Sequence, residues 1–264
     1  MKFFKMSGSG NDFVIIDNRK NIIEDRKSTA IKLCHRKFGV GADGLMLVED
    51  SQQADFRMRI FNSDGSEAEM CGNGLRCIVR FVSENIYQKD ALMVETEAGL
   101  LEGFVEQEQN IRVQLNVSGE AKLNIDIPIE NVILKGHFIN TGVPHTVIVT
   151  DDIENIELEK FGPLVRYHKL FAPGGTNVNW IQVIDKQQLK IRTYERGVEA
   201  ETLSCGTGSV AGALISNLLN KTVSPTSIIA RSGEILKISF DEEHKKIYLS
   251  GKTQLSFKGE WIGV

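Results

Sequence analysis

Apolar and polar positions in this 264-residue chain follow two periods, and the order in which those periods succeed one another occurs twice. Phe56, Met58 and Ile60 alternate with polar residues in DFRMRIFNSDGSEAEMCGNGLRCIVRF, which starts at Asp55. Leu189, Ile191 and Thr193 do the same in QLKIRTYERGVEAETLSCGTGSVAGALI, which starts at Gln188. A two-residue alternation predicts a half-buried strand. Each strand runs into a glycine turn (Gly65, Gly197), a Glu-Ala-Glu stretch, a Cys-Gly-x-Gly element and an apolar segment with helical spacing. After Cys71 the apolar positions 75, 78, 79, 82 and 86 mark one helical face. After Cys205 the segment is apolar nearly all round, which predicts a core helix.

Two further blocks repeat in the same order. SGNDFVIID near the start resembles TGVPHTVIVTD from Thr141, and GVGADGLMLVED from Gly39 resembles GGTNVNWIQVID from Gly174. Cys71 and Cys205 lie 134 residues apart, and Asn62 and Glu195 lie 133 apart. The pattern predicts two homologous halves of an α/β (α+β) protein, residues 1–116 plus 252–264 and residues 117–251. Each would be a mostly antiparallel sheet with one central helix, the two joined without a long linker. VETEAGLLEGFVE, NIRVQLNVS, ILKISFD and KIYLSGK add strands.

Composition narrows the class. Apolar residues make up 41% and charged residues 25%, with a formal net charge of −4, so nothing points to a nucleic-acid partner. Arg57 and Arg59 alternate with apolar residues and belong on the outer face of a strand. No segment approaches the roughly 20 apolar residues of a membrane span, and MKFFKMSGSGNDFVIID lacks the apolar core of a signal peptide. A cytoplasmic enzyme with reduced thiols is expected. Cys71 and Cys77 are too widely spaced for a short zinc pair, Cys34-His35 offers no chelating spacing, and Cys34 and Cys77 read as core thiols.

The chemistry lies in Cys-Gly-x-Gly. The first turn of a helix leaves backbone N–H groups unpaired, and glycine there lets an anion approach them. A thiol at the same place feels the positive end of the helix and becomes a usable base. Inverting a stereocentre that bears hydrogen needs a base on one face and an acid on the other. Two like thiols in two facing halves supply both, and the helix starts would hold the substrate carboxylate as the α-proton leaves.

These residues resemble the diaminopimelate epimerase family, along nearly the whole chain. MSGSGNDFVIID, FGVGADGL, FNSDGSEAEMCGNGLRC, TGVPHTVI, GTNVN and YERGVEAETLSCGTGSVA are similar to its motifs and stand in the expected order. The resemblance implies two halves, each a sheet around a central helix, with the site in the cleft between them. It implies interconversion of LL- and meso-diaminopimelate with no metal and no other cofactor, pyridoxal phosphate included. By motif position, Cys71 and Cys205 would be proton donor and acceptor, and Gly72, Asn73, Gly206 and Thr207 would hold the reacting carboxylate. Asn11, Asn62, Asn177, Glu195 and Arg196 would hold the rest of the substrate, with His145 and Glu195 tuning the thiols. The partner is a small amino acid; a homodimer through the C-terminal strand region and Trp261 is compatible with the pattern.

Three departures bear on substrate. Gly44 stands where the family commonly has glutamine, Val143 where it has asparagine, and ERGVEAETLSCG is one residue longer than the commoner form. A looser pocket that also admits a shorter acidic amino acid such as glutamate is therefore expected. Related proline racemases act on a substrate without a distal charged group, which Glu195-Arg196 does not suit. Phenazine-pathway relatives that dispense with thiols do not suit the two cysteines. A reading from another class, a non-catalytic thiol redox switch, predicts disulfide formation as the functional event.

Overall fold

The computed structural model describes residues 1–117 and 119–263. The chain forms two compact units, Met1–Gln114 with Ser250–Val264, and Leu115–Leu249. In chain order the first unit contains β1 (Lys2–Gly8), β2 (Asn11–Asp17), α1 (Arg26–Cys34), β3 (Gly44–Glu49), β4 (Phe56–Asn62), β5 (Glu67–Ala68), α2 (Gly72–Val82), β6 (Ala91–Thr96) and β7 (Gly99–Val105). After β8 (Asn110–Leu115) come β9 (Lys122–Ile129), β10 (Val132–Asn140), β11 (Pro144–Val149), α3 (Leu158–Arg166), β12 (Asn177–Asp185) and β13 (Gln188–Glu195). Then follow β14 (Ala200–Thr202), α4 (Gly206–Leu218), β15 (Thr226–Ile229), β16 (Ile235–Phe240) and β17 (Ile247–Lys252). Finally β18 (Gln254–Glu260) returns to the first unit.

The two units repeat one wiring diagram. In the first, β1 pairs antiparallel with β2, β2 parallel with β3, β3 antiparallel with β4, and β4 parallel with β6. In the second, β10, β11, β12, β13 and β15 repeat those four pairings with the same directions. The outer neighbour is where they differ: β18, from the end of the chain, pairs with β1, whereas β9, which precedes it directly, pairs with β10. Each sheet is thus mostly antiparallel, as the alternating segments predict, with parallel steps where a helix intervenes.

Register corrects the third repeat block. Met46 faces Ile60 across β3–β4, and Asn179 faces Thr193 across β12–β13, an offset of 133 in both strands. Starting that block at Gly39 and Gly174 misplaces it by two residues. A two-residue slip keeps every side chain on its own face of the strand, so hydropathy alone does not detect it.

The helix after Cys71 corrects a second expectation. It has no solvent face: every residue of α2 is buried, Arg76 and Arg80 included. Arg76 donates to Ser9 Oγ, and Arg80 donates to the Thr253 carbonyl at 2.7 Å and to Glu84 at 2.8 Å. These partners let two guanidinium groups sit inside the sheet's curve, where a period count takes them for surface. Beyond Val82 the helix continues as one π-helical stretch over Ser83–Tyr87, which carries the predicted apolar position 86. In the second unit α4 is buried along Gly206–Ser216 except at Thr207, as its composition predicts.

Candidate active site

Each cysteine of the repeated motif ends an extended segment and caps a helix. Cys71 has φ −143° and ψ 116°, and its Sγ accepts from the Gly74 N–H at 3.5 Å. Cys205 has φ −127° and ψ 110°, and its Sγ accepts from the Gly208 N–H at 3.4 Å. The sulfur takes the place that a serine or aspartate oxygen fills in an ordinary N-cap. A hydrogen bond from a first-turn N–H favours thiolate over thiol, as does the helix's positive end. None of the four cysteines is in a disulfide; Cys34, Cys77 and Cys205 are buried and Cys71 half-buried, and burial pushes the Cys34 thiol up to about 12.

In the first unit the predicted residues Cys71, Gly72, Asn73 and Asn11 come together. Asn73, in the first turn of α2, donates through Nδ2 to Asn11 Oδ1 at 2.8 Å, and Asn11 Nδ2 donates to Asp43 at 3.2 Å. Asp43 also accepts from the Asp12 N–H at 3.1 Å and from Arg36 at 2.7 Å. Asp12 is gripped by Lys5 at 2.6 Å and by both terminal nitrogens of Arg36. Burial alone would raise the Asp12 carboxyl, but these two cations hold it well below the usual carboxylate range. Asn62 ends β4 opposite Gly44, and its Nδ2 donates to Ser66 Oγ at 3.0 Å, while the next residue, Ser63, donates its N–H to the Asp43 carbonyl at 3.1 Å. Asp43 is a supporting residue that sequence reading passed over.

Gly44 opens no space. A Cβ there would stand 2.9 Å from the Phe61 carbonyl oxygen, so the missing side chain is replaced by neighbouring backbone. The looser pocket expected from the sequence rests on the missing amide hydrogen bonds rather than on added volume.

In the second unit Cys205, Thr207 and His145 form one polar cluster. Thr207 Oγ1 lies 3.5 Å from Cys205 Sγ and 3.0 Å from His145 Nε2. His145 is fully buried in β11, and desolvation drives its pKa down to about 3. Asn179 Nδ2 lies 3.0 Å from His145 Nδ1, and Asn179 Oδ1 accepts from Thr193 Oγ1 at 3.0 Å. Sequence reading marks Thr193 only as a strand position and does not mark Asn179. A signal existed for Asn179: in Asn-Val-Asn at the start of β12, the two-residue strand period puts Asn177 and Asn179 on one face.

Asn177, Glu195 and Arg196 meet at the end of β13. Asn177 Oδ1 accepts from the Arg196 N–H at 2.9 Å, and its Nδ2 donates to the Pro144 carbonyl at 2.9 Å. Burial raises the Glu195 carboxyl above the usual range, partly offset by the Thr202 hydroxyl. The lengthened turn is held by Glu199, at φ 57°, whose carboxylate accepts from the Gly197 N–H and from Arg166. Arg166 and Arg196 both donate to the Gly174 carbonyl, at 3.3 and 3.5 Å. A cavity of about 480 Å³ opens beyond Pro144 between Phe138, Phe171 and Lys122, but none of the predicted site residues lines it. Among the described residues no three His, Cys, Asp or Glu side chains converge as a metal ligand set, and no helix is long and apolar enough to cross a membrane.

A family model described as diaminopimelate epimerase matches residues 3–123 and 137–256. The chain belongs to the diaminopimelate epimerase family, and so to the isomerases. Its relatives include the diaminopimelate epimerases of Aquifex aeolicus, 43% identical over 98% of this chain and 97% of that one, and of Archaeoglobus fulgidus, 42% identical over 97% and 95%. The fold extends further than the family. A Bacillus anthracis phenazine biosynthesis protein of the PhzF family superposes with a TM-score of 0.74 at 17% identity, covering 100% of this chain and 99% of that one. A hydroxyproline epimerase from Agrobacterium vitis, solved with bound trans-4-OH-L-proline, gives 0.71 at 14% identity over 98% and 91%.

Proposed function

We infer that this epimerase-family chain interconverts LL- and meso-diaminopimelate by a two-thiol mechanism that uses no cofactor. One observation carries the reading: Cys71 and Cys205, alone among the four cysteines, each cap a buried helix at equivalent points of two matched units. One thiolate takes the α-hydrogen as a proton, and the electron pair of the broken C–H bond is left on the α-carbon and spreads into the carboxylate. The other thiol returns a proton to the opposite face and becomes the thiolate. The reacting carboxylate would rest on the first-turn N–H groups of Gly72, Asn73, Gly206 and Thr207. Arg196 pairs with the distal carboxylate and Glu195 with the distal ammonium, while Asn11, Asn62 and Asn177 orient that end. His145 and Glu195 set the protonation of the thiols. A cytoplasmic setting and a homodimer through the Trp261 region belong to the same proposal.

Chromatographic separation of stereoisomers after incubation with LL-diaminopimelate under reducing conditions tests the reading. The expected product is the meso isomer, and racemisation of glutamate alongside it would support the looser pocket that the missing amides predict. No conversion of diaminopimelate would end this reading, and fast diaminopimelate turnover with none of glutamate would end the looser-pocket alternative.

A further inference from the structure

The polar cluster behind Cys205 has a direction, and one side chain sets it. Asn179 Nδ2 lies 3.2 Å from the Thr146 backbone carbonyl, which only accepts hydrogen bonds. That carbonyl therefore fixes which end of the amide is the NH₂. Its second hydrogen goes to His145 Nδ1, so Nδ1 is the acceptor and the ring proton sits on Nε2. Nε2 then donates to Thr207 Oγ1, whose own hydrogen is free to donate to Cys205 Sγ. Thr193 donates into the far end, to Asn179 Oδ1. Every hydrogen in the series points toward the sulfur.

The equivalent positions of the first unit have another character. Asn179 corresponds to Met46 and Thr193 to Ile60, both buried and apolar, in the same β-pair register. There Met46 and Ile60 close against the second glycine of the motif, Gly74. Two matched units thus back their helix-capping cysteines differently, polar behind Cys205 and apolar at the corresponding strand positions behind Cys71.

We propose that Asn179 is a positioning residue that locks His145 in its Nε2–H tautomer, so that the Thr207 hydroxyl donates to Cys205 and holds it ready as a thiolate. The inference deepens the two-thiol reading above and rests on it for its kinetic arm alone. The field of Arg196 also reaches the imidazole and disfavours a second ring proton.

Nitrogen-15 NMR of histidine-labelled resting protein reads the tautomer directly. The His145 signals among the five histidines are identified by their loss in His145→Gln. The expected wild-type result is a neutral ring with the proton on Nε2, unchanged from about pH 8 to about pH 5. In Asn179→Asp the amide donor is lost, and the proton should move to Nδ1. The kcat should fall at least about tenfold, while KM stays within about twofold. Thr207→Ser should keep most of kcat and Thr207→Val should not. A wild-type proton on Nδ1, an unchanged kcat in Asn179→Asp, or equal kcat losses in Thr207→Ser and Thr207→Val would overturn the proposal. If Asn179→Asp does not fold, the wild-type spectrum and the Thr207 pair decide it. Absence of diaminopimelate turnover would defeat the functional reading while the spectrum still decided the tautomer.

Discussion

A Cβ at Gly208 would stand 2.4 Å from Asn179 Oδ1 and 3.3 Å from Cys205 Sγ, so the second glycine of the second motif is the space in which Asn179 lies. Its counterpart Gly74 is crowded less, with Met46 side-chain atoms at 3.1 Å. Replacing Gly208 by alanine should push Asn179 aside and cost about 1–3 kcal/mol by overpacking. Gly212→Ala, in the same helix, meets Ile181 only at 3.2 Å and also gains helix propensity, so its effect should be under about 1 kcal/mol. Urea unfolding of the two variants gives the comparison; equal losses would show that Gly208 is only a generic helix glycine.

The Lys5–Asp12 pair, with Lys5 buried and Asp12 half-buried, adjoins Asn11. Lys5 is 6% exposed, and Asp12→Asn leaves its ammonium without the 2.6 Å carboxylate. The variant should lose about 1–2 kcal/mol of stability, because Asp12 is half-buried and Lys5 keeps the Gly41 carbonyl as a partner. Adding Lys5→Met should recover most of it, because the uncompensated charge is then removed as well. Denaturant midpoints of the single and double variants measure this. A single variant as stable as wild type would remove Asp12 from the account of how the first unit is held.

His145 imposes a pH dependence whose sign follows from its depressed pKa. Unfolded, the imidazole binds a proton below its ordinary 6.5; folded, it stays neutral down to about 3. Between those values the unfolded state holds more protons, so stability is full above 6.5 and falls as the pH is lowered toward 3. The contribution is at most about 1.4 kcal/mol per pH unit. His145→Gln should flatten the stability profile in that window relative to wild type while leaving the slope above it alone. Parallel profiles for the two proteins would show that the ring is not buried neutral.

Much of the fold could be read from the order of apolar positions. The duplicated strand, turn, Cys-Gly-x-Gly and helix predicts β4 with α2 and β13 with α4, because strand and helix periods leave separate marks. The all-round burial of α2 could not be read, since Arg76 and Arg80 take their partners, Ser9 and the Thr253 carbonyl, from distant parts of the sequence. The pairing of β18 with β1 depends on the same kind of long-range closure. Within the candidate site, the cysteines carry a local signal and the groups behind them do not. Asn179 is hydrogen-bonded to His145, and Asp43 to Asn11, and each contact exists only once parallel strands bring those residues side by side.

The two-thiol account is tested most directly by α-proton exchange in deuterium oxide, under reducing conditions, with diaminopimelate as substrate. Mass spectrometry and proton NMR of the recovered amino acid should show one solvent deuterium at the inverted α-carbon for each epimerisation, and epimerisation should be lost in both Cys71→Ala and Cys205→Ala. Inversion without deuterium uptake, or epimerisation that persists in either variant, would contradict it.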